Sequence, residues 1–549
     1  MSLADDLRAA VRGEVSTAPA DLDAASRDAS LFRVEPSVVV SPLDAADLQA
    51  LVKAVARAHE ADPSVTLTAR SAGTDMSGGP LTPSVVALMT PHFDKILSVA
   101  DGEAVVQPGV YYRDFEKEAA KTGQLLPSYP ASKDLCTVGG MVANDSGGEK
   151  TLRYGKTEDY VKRLKAVLAD GSACMFEPLD AQGLAAKKAL RTLEGDIYRR
   201  MDELLTKNAE LIAKAKPRVS KNSAGYLLWN VKDERTGAFD LTQVLVGSQG
   251  TLGLVTEATF RLVRDLPRSR MLVIFLRDLK PLADLVQAVM RDDPPESFES
   301  YDDKTLGVAL RFLPEVIAHM EGNAFKLAFQ FLPEIGMVLT GGVPKLVLIA
   351  EFTAATADEA LAKAKEAQRR VAPFGLRTRV THSEAQAEKY WEVRRQSFNL
   401  LRHHVRGLRT APFIDDLVVR PERLPDFLPR LNAILNGYKM IYTVAGHVGD
   451  GNFHIIPLVD AHDPKLKDVI RDLSAKVYAL VKEFDGSITG EHNDGLIRTP
   501  FLEEMFGPDV VRLFAETKKT WDPTGLFNPG KKTGMTLDEA LTHLDAPTA

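Results

Sequence analysis

Cys136-Thr137-Val138-Gly139-Gly140-Met141-Val142-Ala143-Asn144-Asp145-Ser146-Gly147-Gly148, running on to Arg153-Tyr154-Gly155, is the stretch on which the fold turns. Glycines and small polar residues dominate it, and it is one of several such stretches. Upstream, a helical pattern over 45–61 leads to the short strand Val65-Thr66-Leu67-Thr68, the start of a βαβ unit. That strand runs directly into Arg70-Ser71-Ala72-Gly73-Thr74-Asp75-Met76-Ser77-Gly78-Gly79. Successive backbone N–H groups in such a run can face one anion, so it reads either as a pyrophosphate loop or as a plain surface loop. Downstream come Val246-Gly247-Ser248-Gln249-Gly250-Thr251-Leu252-Gly253-Leu254-Val255-Thr256 and the closing stretch Trp521-Asp522-Pro523-Thr524-Gly525-Leu526-Phe527-Asn528-Pro529-Gly530-Lys531.

The chain has 549 residues, 45% of them apolar, which is enough for two to four globular domains. No apolar run approaches membrane-spanning length, and Met1-Ser2-Leu3-Ala4-Asp5-Asp6 lacks the pattern of a signal peptide, so a cytoplasmic protein is expected, free or peripheral to the inner face of a membrane. A net charge of −7 without a long basic run argues against a nucleic-acid partner. Cys136 and Cys174 are too few for a cysteine-ligated iron–sulfur cluster. Any redox chemistry here needs an organic cofactor or an electron-accepting partner.

A second feature is His447-Val448-Gly449-Asp450-Gly451-Asn452-Phe453-His454, with Gly490-Glu491-His492-Asn493 further on. Asp450-Gly451 is a preferred two-residue hairpin turn, and closing it places 447 opposite 454 on one face. Two imidazoles at cross-strand distance can share a divalent ion if Glu491 completes an N,N,O set, leaving His492 for proton transfer. A surface pair or a hydrogen-bonded pair fits the same spacing.

The glycine stretches, in this order and at these separations, resemble the FAD-binding domain of the vanillyl-alcohol oxidase superfamily. Within it, the histidine hairpin and Glu491-His492 are similar to those of the flavin-linked D-2-hydroxyacid dehydrogenases, a group of D-lactate, glycolate-oxidase D-subunit and D-2-hydroxyglutarate enzymes. The resemblance covers roughly residues 30–535. It implies an α+β fold: a two-subdomain FAD-binding domain (1–265), a substrate-binding cap (266–480) and a C-terminal segment (481–549) returning to the FAD domain. It further implies that Arg70, Ser71, Ala72, Gly73, Thr74, Asp75, Met76 and Ser77 wrap the FAD pyrophosphate. Pro130, Thr137, Gly139, Gly140, Asn144, Ser146, Gly147 and Tyr154 would then line the flavin and ribityl chain, Gly250 and Val255 would meet the adenine half, and Asn528 would close over the flavin. Covalent members carry histidine where Thr74 stands, so the FAD is expected to be non-covalent. The chain departs from the family in Ser71-Ala72-Gly73 for three glycines, Gln249 for glutamate and Asn493 for glycine.

Between 266 and 480, strand-then-helix units at 271–276 with 280–291, and at 345–350 with 357–371, suggest a ferredoxin-like antiparallel sheet. The apolar stretch 312–343 resists assignment. Tyr390, Trp391, Arg394, Phe398 and Leu401 fall at helical spacing, and the family's Trp-x-x-Arg pattern implies that Arg394 grips a substrate carboxylate. Arg395, Arg402 and Arg406 read as a solvated face paired with acids, and Asp415-Asp416 as structural support.

The resemblance implies oxidation of a small D-2-hydroxy acid. Zinc or manganese on His447, His454 and Glu491 would act as Lewis acid, His492 would take the hydroxyl proton, and Asn452 would bond substrate or flavin. The electron acceptor, whether quinone, cytochrome, electron-transfer flavoprotein or iron–sulfur protein, leaves no motif, and a homodimer is compatible with the family. Two alternatives keep the flavin: an alkyl-dihydroxyacetonephosphate-synthase-like enzyme, and a flavin-binding subunit of a multi-protein oxidase.

Overall fold

The computed structural model describes residues 2–233, 235–311, 342–404 and 407–545, with backbone alone for 308–311 and 395–404. Nearly all of the 312–343 stretch, and the side chains of Arg395, Arg402 and Arg406, therefore lie outside the described residues.

Among the described residues, three of the four sheets organise the chain, the fourth being the short pair Gln124–Leu125 with Val263–Arg264. Val38–Ser41, Leu67–Arg70 and Val85–Leu88 form a parallel set, with Glu14–Ser16 added antiparallel at one edge. Parallel strands are covered on both faces, which is why Val38, Val39 and Val40 are all buried. The connecting helix Ala45–Ala61 starts where the Asp44 side chain accepts the Asp47 N–H, and it buries Leu48, Leu51, Val52 and Val55 on one stripe. The strand expected at 65–68 begins instead at Leu67, because Leu67 N–H donates to Leu526 O and Asn528 N–H donates back to Leu67 O. The C-terminal tail thus closes against the first glycine-rich loop.

An antiparallel sheet follows, ordered Ile96–Ala100, Glu103–Val106, Leu254–Arg261, Val161–Val167, Ala173–Phe176. Its core includes Trp521, packed 5.0 Å from Phe176 and supplied by the late helix Pro508–Trp521. A third sheet, wholly antiparallel, runs Arg377–Val380, Arg268–Leu276, Leu346–Ala354, Ser297–Asp302, Ile441–His447, Asn452–Val459, Arg409–Thr410, with Leu417–Val418 also paired to Asn452–Val459. The two expected strand–helix units stand at the heart of this larger sheet. Alternate residues Leu272, Ile274 and Leu276, with Leu346, Leu348, Ala350 and Phe352, share one core with Leu285 and Val289 of helix Leu282–Met290. Helix Ala357–Val371 joins them through Ala364, Ala367 and Val371, whose small side chains let backbone and sheet approach closely. Among the described residues, no helix is long and apolar enough to cross a membrane.

The 147–154 loop meets the third sheet at a buried acidic joint. Lys150 pairs with Glu296, Thr353 donates to Glu296, and Tyr129 OH donates to Glu149 at 3.2 Å. Burial, then repulsion from Glu149 and Glu296, pushes the Glu351 carboxyl from 4.5 up to about 7 against the opposing effects of Ser269 and Lys150. The folded chain therefore keeps this proton up to about pH 7 while the unfolded chain loses it near 4.5. Stability from this group is present below pH 4.5 and falls away as pH rises through that window. Glu351→Gln is expected to raise the melting temperature above pH 7, by a free energy on the order of 2–3 kcal/mol at most, and to change little at pH 4.5. Calorimetry at the two pH values checks this.

Candidate active site

The histidine hairpin forms, but not in the expected register. His447 lies opposite Asn452 and Ala445 opposite His454, and Val448, Gly449, Asp450 and Gly451 form a four-residue connection. Neighbouring segments hold this loop: Gly449 N–H donates to Phe298 O, Val448 is fully buried, and Val419 N–H donates to Gly451 O. Gly451 has φ +69°, and a Cβ there would lie 1.8 Å from Val419 O, so only glycine fits. The register differs by two residues from the one expected, and an even shift keeps side chains on the same face. The His447 and His454 rings still meet, diagonally, with centroids 5.2 Å apart.

Glu491 stands between these rings. Its Oε1 lies 3.1 Å from His447 Nε2, 3.3 Å from His454 Nε2 and 4.0 Å from His492 Nε2. Behind each imidazole is a carboxylate: Glu299 Oε1 is 2.5 Å from His447 Nδ1, Asp415 Oδ1 is 3.3 Å from His454 Nδ1, and Asp415 Oδ2 is 2.8 Å from His492 Nδ1. An ionised carboxylate only accepts, so each Nδ1 carries its proton and each Nε2 is directed to the common centre; His447 and His454 make the Nδ1 contact as a hydrogen bond, His492 as an ion pair. Carboxylate–histidine pairs of this kind orient metal-ligating imidazoles. Asp416, His454, Glu491 and His492 bring ligand atoms within 4.8 Å of one another. Asp416 is otherwise engaged, however: its Oδ2 accepts from Thr489 Oγ1 and the backbone N–H groups of Glu491 and His492, and its Oδ1 from Asn452. It shapes the 489–492 turn, the structural role expected for it. The donors that fit a divalent ion are therefore the Nε2 atoms of His447 and His454 with Glu491 Oε1, and His492 Nε2 stands farther off.

The site is strongly negative. Burial alone would raise the carboxyl of Asp415, yet His492 and His454 hold it far below the usual range. Burial is likewise outweighed at Glu299, which Arg394 and His447 hold at about 2, and at Glu491, which Lys221 and His447 hold well below normal. Burial opposes a charge on His454, but Asp415 and Glu491 lift it to about 10. Such an excess of carboxylate over fixed cation is a place suited to added positive charge. His492 and His454 are the open members, their side chains 20% and 15% exposed, against 4% for His447.

Arg394 lies on helix Glu384–His404, and its Nε is 2.6 Å from Glu299 Oε2. One buried carboxylate thus joins Arg394 to His447. Asn452 is fully buried, and its amide donates to Asp416 Oδ1 and Leu417 O, so this group serves the 415–418 segment.

The glycine stretches converge on the same place. Asn528 donates to Gly79 O (2.9 Å) and Gln249 O (2.6 Å) and accepts from Thr68 Oγ1 (3.1 Å). Gln249 donates to Ser77 Oγ and accepts Gly495 N–H. Asn144 donates to Glu491 O, while Asn493 donates to Asn144 O and Gly247 O. Asn493 has φ +67°, the left-handed turn that its place in the family pattern requires. Asn528→Ala cuts three buried bonds and is expected to cost about 3 kcal/mol and to loosen bound FAD. Denaturant unfolding and flavin retention on gel filtration measure both effects.

Other expected cofactor residues have additional or different partners. Arg70 donates to the carbonyls of Arg27 (2.6 Å) and Ala25 (3.2 Å), securing the N-terminal segment. Asp75 accepts from Ser77 N–H, Gly79 N–H and Ser77 Oγ, taking two of the loop's amides. Gly73 has φ +70°, and Ser71, Ala72, Thr74 and Met76 stay half-buried around it. Thr137 caps helix Val138–Asn144 by accepting Gly140 N–H, and Gly139 is required because a Cβ would lie 2.3 Å from Pro108. Ser146 O accepts from Thr157, and Tyr154 O accepts from Tyr160 OH. Pro130 O accepts Lys133 N–H, Gly250 has φ +70°, and Val255 pairs with Ala166. Gly147 abuts Glu491, where a Cβ would approach Oε2 to 3.1 Å. Cys136 is a buried core residue.

Two buried members of the site escape a sequence reading, Glu299 and Lys221. Glu299 sits in an ordinary strand, and Lys221 in Lys221-Asn222-Ser223-Ala224-Gly225. Only the neighbouring Gly225 hints at a loop of consequence.

A glycine-lined cradle built from distant stretches and roofed by an antiparallel sheet is the architecture of two-part FAD enzymes. The solved 4-ethylphenol oxidase from Gulosibacter chungangensis, in its isoeugenol complex, shares the fold with a TM-score of 0.68 over 97% of each chain at 15% identity. Residues 36–176 match the FAD binding domain family, and residues 266–532 match the C-terminal domain family of FAD linked oxidases. The D-2-hydroxyglutarate dehydrogenase of Pseudomonas putida is 30% identical over 98% of this chain and 52% of that protein. The one of Xanthomonas citri pv. viticola is 28% identical over 97% of this chain and 95% of that protein. The chain thus spans about half the length of the first of these relatives and nearly all of the second. By both family matches it belongs to the FAD linked oxidases.

Proposed function

We propose that this chain oxidises a D-2-hydroxy acid to the 2-oxo acid, with non-covalent FAD as hydride acceptor and a divalent metal at the histidine cluster. The observation that carries the reading is the convergence of three carboxylate-backed imidazoles and Glu491 Oε1 beside the FAD-type loops, with Asn144 bonded to Glu491 O. Relatives named for D-2-hydroxyglutarate dehydrogenation support the substrate class.

His447, His454 and Glu491 hold the metal in this reading, and FAD is held by the 70–77, 137–147 and 247–255 stretches with Asn528. The bound metal would polarise the substrate hydroxyl, and the flavin would take the hydride from Cα. His492 takes the hydroxyl proton at Nε2, with Asp415 Oδ2 2.8 Å from its Nδ1. Arg394, paired with Glu299 through Nε at 2.6 Å, binds the substrate carboxylate, a planar partner suited to a guanidinium. Asp416 keeps the 489–492 turn in shape, so that Glu491 and His492 face one centre from adjacent positions.

Anaerobic mixing of the FAD-loaded protein with D- and L-lactate, glycolate and D- and L-2-hydroxyglutarate tests the proposal, before and after chelation. Flavin bleaching by D-acids, lost on chelation and restored by zinc or manganese, is the expected result. Absence of bleaching by every acid would overturn the reaction, and bleaching indifferent to chelation would overturn the metal.

A further inference from the structure

The two oxygens of Glu491 have different surroundings. Oε1 faces the three Nε2 atoms, whereas Oε2 lies 3.0 Å from the ammonium of Lys221. Lys221 is fully buried and comes from a loop 270 positions earlier in the chain. Its other contacts are Asp450 Oδ2 at 3.4 Å, in the hairpin loop, and Gly148 O at 3.4 Å, in the glycine-rich 136–148 stretch. The ammonium donates to Glu491 Oε2 and Gly148 O, and Asp450 adds a charge contact, so three segments surround it. Gly147 closes the remaining side, since even a Cβ there would come within 3.1 Å of Oε2. The carboxylate is therefore held so that one oxygen alone reaches the histidine centre.

We propose that Lys221 is a positioning residue that confines Glu491 to one-oxygen ligation and moderates the site's hold on its cation. The inference rests on the metal reading above. Two physical effects follow from the ammonium. Its charge repels a divalent ion a few ångströms away in a buried, weakly screened setting. Its grip on Oε2 also keeps the carboxylate from chelating with both oxygens, which leaves a coordination place for the substrate hydroxyl. Catalytic metal sites need such an open place, whereas structural sites are closed. If Lys221 only neutralised two buried acids, removing it would loosen the cluster and weaken metal binding. The two roles predict opposite signs.

The experiment uses the FAD-loaded full chain stripped of metal, with zinc titrated in competition with a chromophoric chelator. Wild type is measured first, then Lys221→Met, which has similar length and no charge, and Lys221→Arg, which keeps the charge. Lys221→Met is expected to bind zinc at least about tenfold tighter than wild type, and Lys221→Arg within about threefold of it. With cobalt in place of zinc, the ligand-field bands to the red of the flavin should weaken in Lys221→Met, as they do when a ligand is added to a four-coordinate ion. Flavin reduction should slow in the same variant although its metal is held more tightly. Unchanged or weaker zinc binding by Lys221→Met overturns the inference. Failure of wild type to bind one zinc overturns the metal reading instead. Should Lys221→Met fail to retain FAD, Lys221→Gln, neutral and one atom shorter, carries the same expectations and the same refutation.

Discussion

Anaerobic flavin bleaching by a D-2-hydroxy acid is expected to slow by about 10²- to 10⁴-fold in His492→Gln, with zinc and FAD still bound. The expectation follows from how differently the three histidines are held. His447 is sealed between Glu299 and Glu491. His492 is the most exposed of the three, and its Nε2 is the farthest from Glu491 Oε1 at 4.0 Å. Its ring stacks on His454 at 4.9 Å with Asp415 Oδ2 2.8 Å from Nδ1, which leaves Nε2 toward the common centre. Stopped-flow absorbance gives the rate, and metal analysis and gel filtration establish that the ligands stayed in place. An unchanged bleaching rate would move the base elsewhere. Loss of zinc alongside the rate would instead make His492 a ligand.

The hairpin shows which parts of such a site a sequence can reveal. Its existence and the shared face of its two histidines were legible from the strand-like runs flanking Asp450-Gly451, because side-chain direction depends only on the parity of the register. The turn itself departs from the local preference for two residues: Phe298 O and Val419 N–H bind the 448–451 loop from neighbouring segments, and such contacts outweigh that preference. The glycine stretches were legible for a similar reason. Positive φ at Gly73, Gly247 and Gly250 demands particular residue types wherever the chain runs. What connects the stretches was not legible in the same way. Asn528 joins residues 449 and 279 positions away, and Glu299 meets its histidine across 148 positions. A glutamate in a strand, or a lysine in a loop, carries no local mark of the imidazole or carboxylate it will meet. Arg70 shows the converse, since its place in the phosphate-type loop was visible while its use in tying down the carbonyls of Ala25 and Arg27 was not.

Asp415→Asn should lower zinc affinity by about 10- to 100-fold and flavin reduction on the order of 10³-fold. Asp415 is fully buried and serves two rings at once, with Oδ1 toward His454 Nδ1 and Oδ2 toward His492 Nδ1, while Oδ1 also accepts Ile455 N–H at 3.1 Å. An asparagine of the same shape has one oxygen and one NH₂. The oxygen can stay with Ile455 and His454, but the NH₂ then confronts the Nδ1–H of His492, donor against donor. The relief available to His492 is to move its proton to Nε2, which removes the lone pair needed to accept the substrate proton. Turning the amide over transfers the conflict to His454 and Ile455, and a ligand nitrogen is lost instead. Either orientation damages the site through the tautomer rather than through size. Asp416→Asn supplies the contrast: its partners are a hydroxyl, two backbone N–H groups and the Asn452 amide, with no imidazole among these hydrogen bonds. Its loss should appear chiefly as a lower melting temperature. Zinc titration and stopped-flow reduction of both variants, with unfolding measured in parallel, separate the two roles. Wild-type zinc affinity and wild-type bleaching in Asp415→Asn would show that the histidine tautomers are set by something other than this carboxylate.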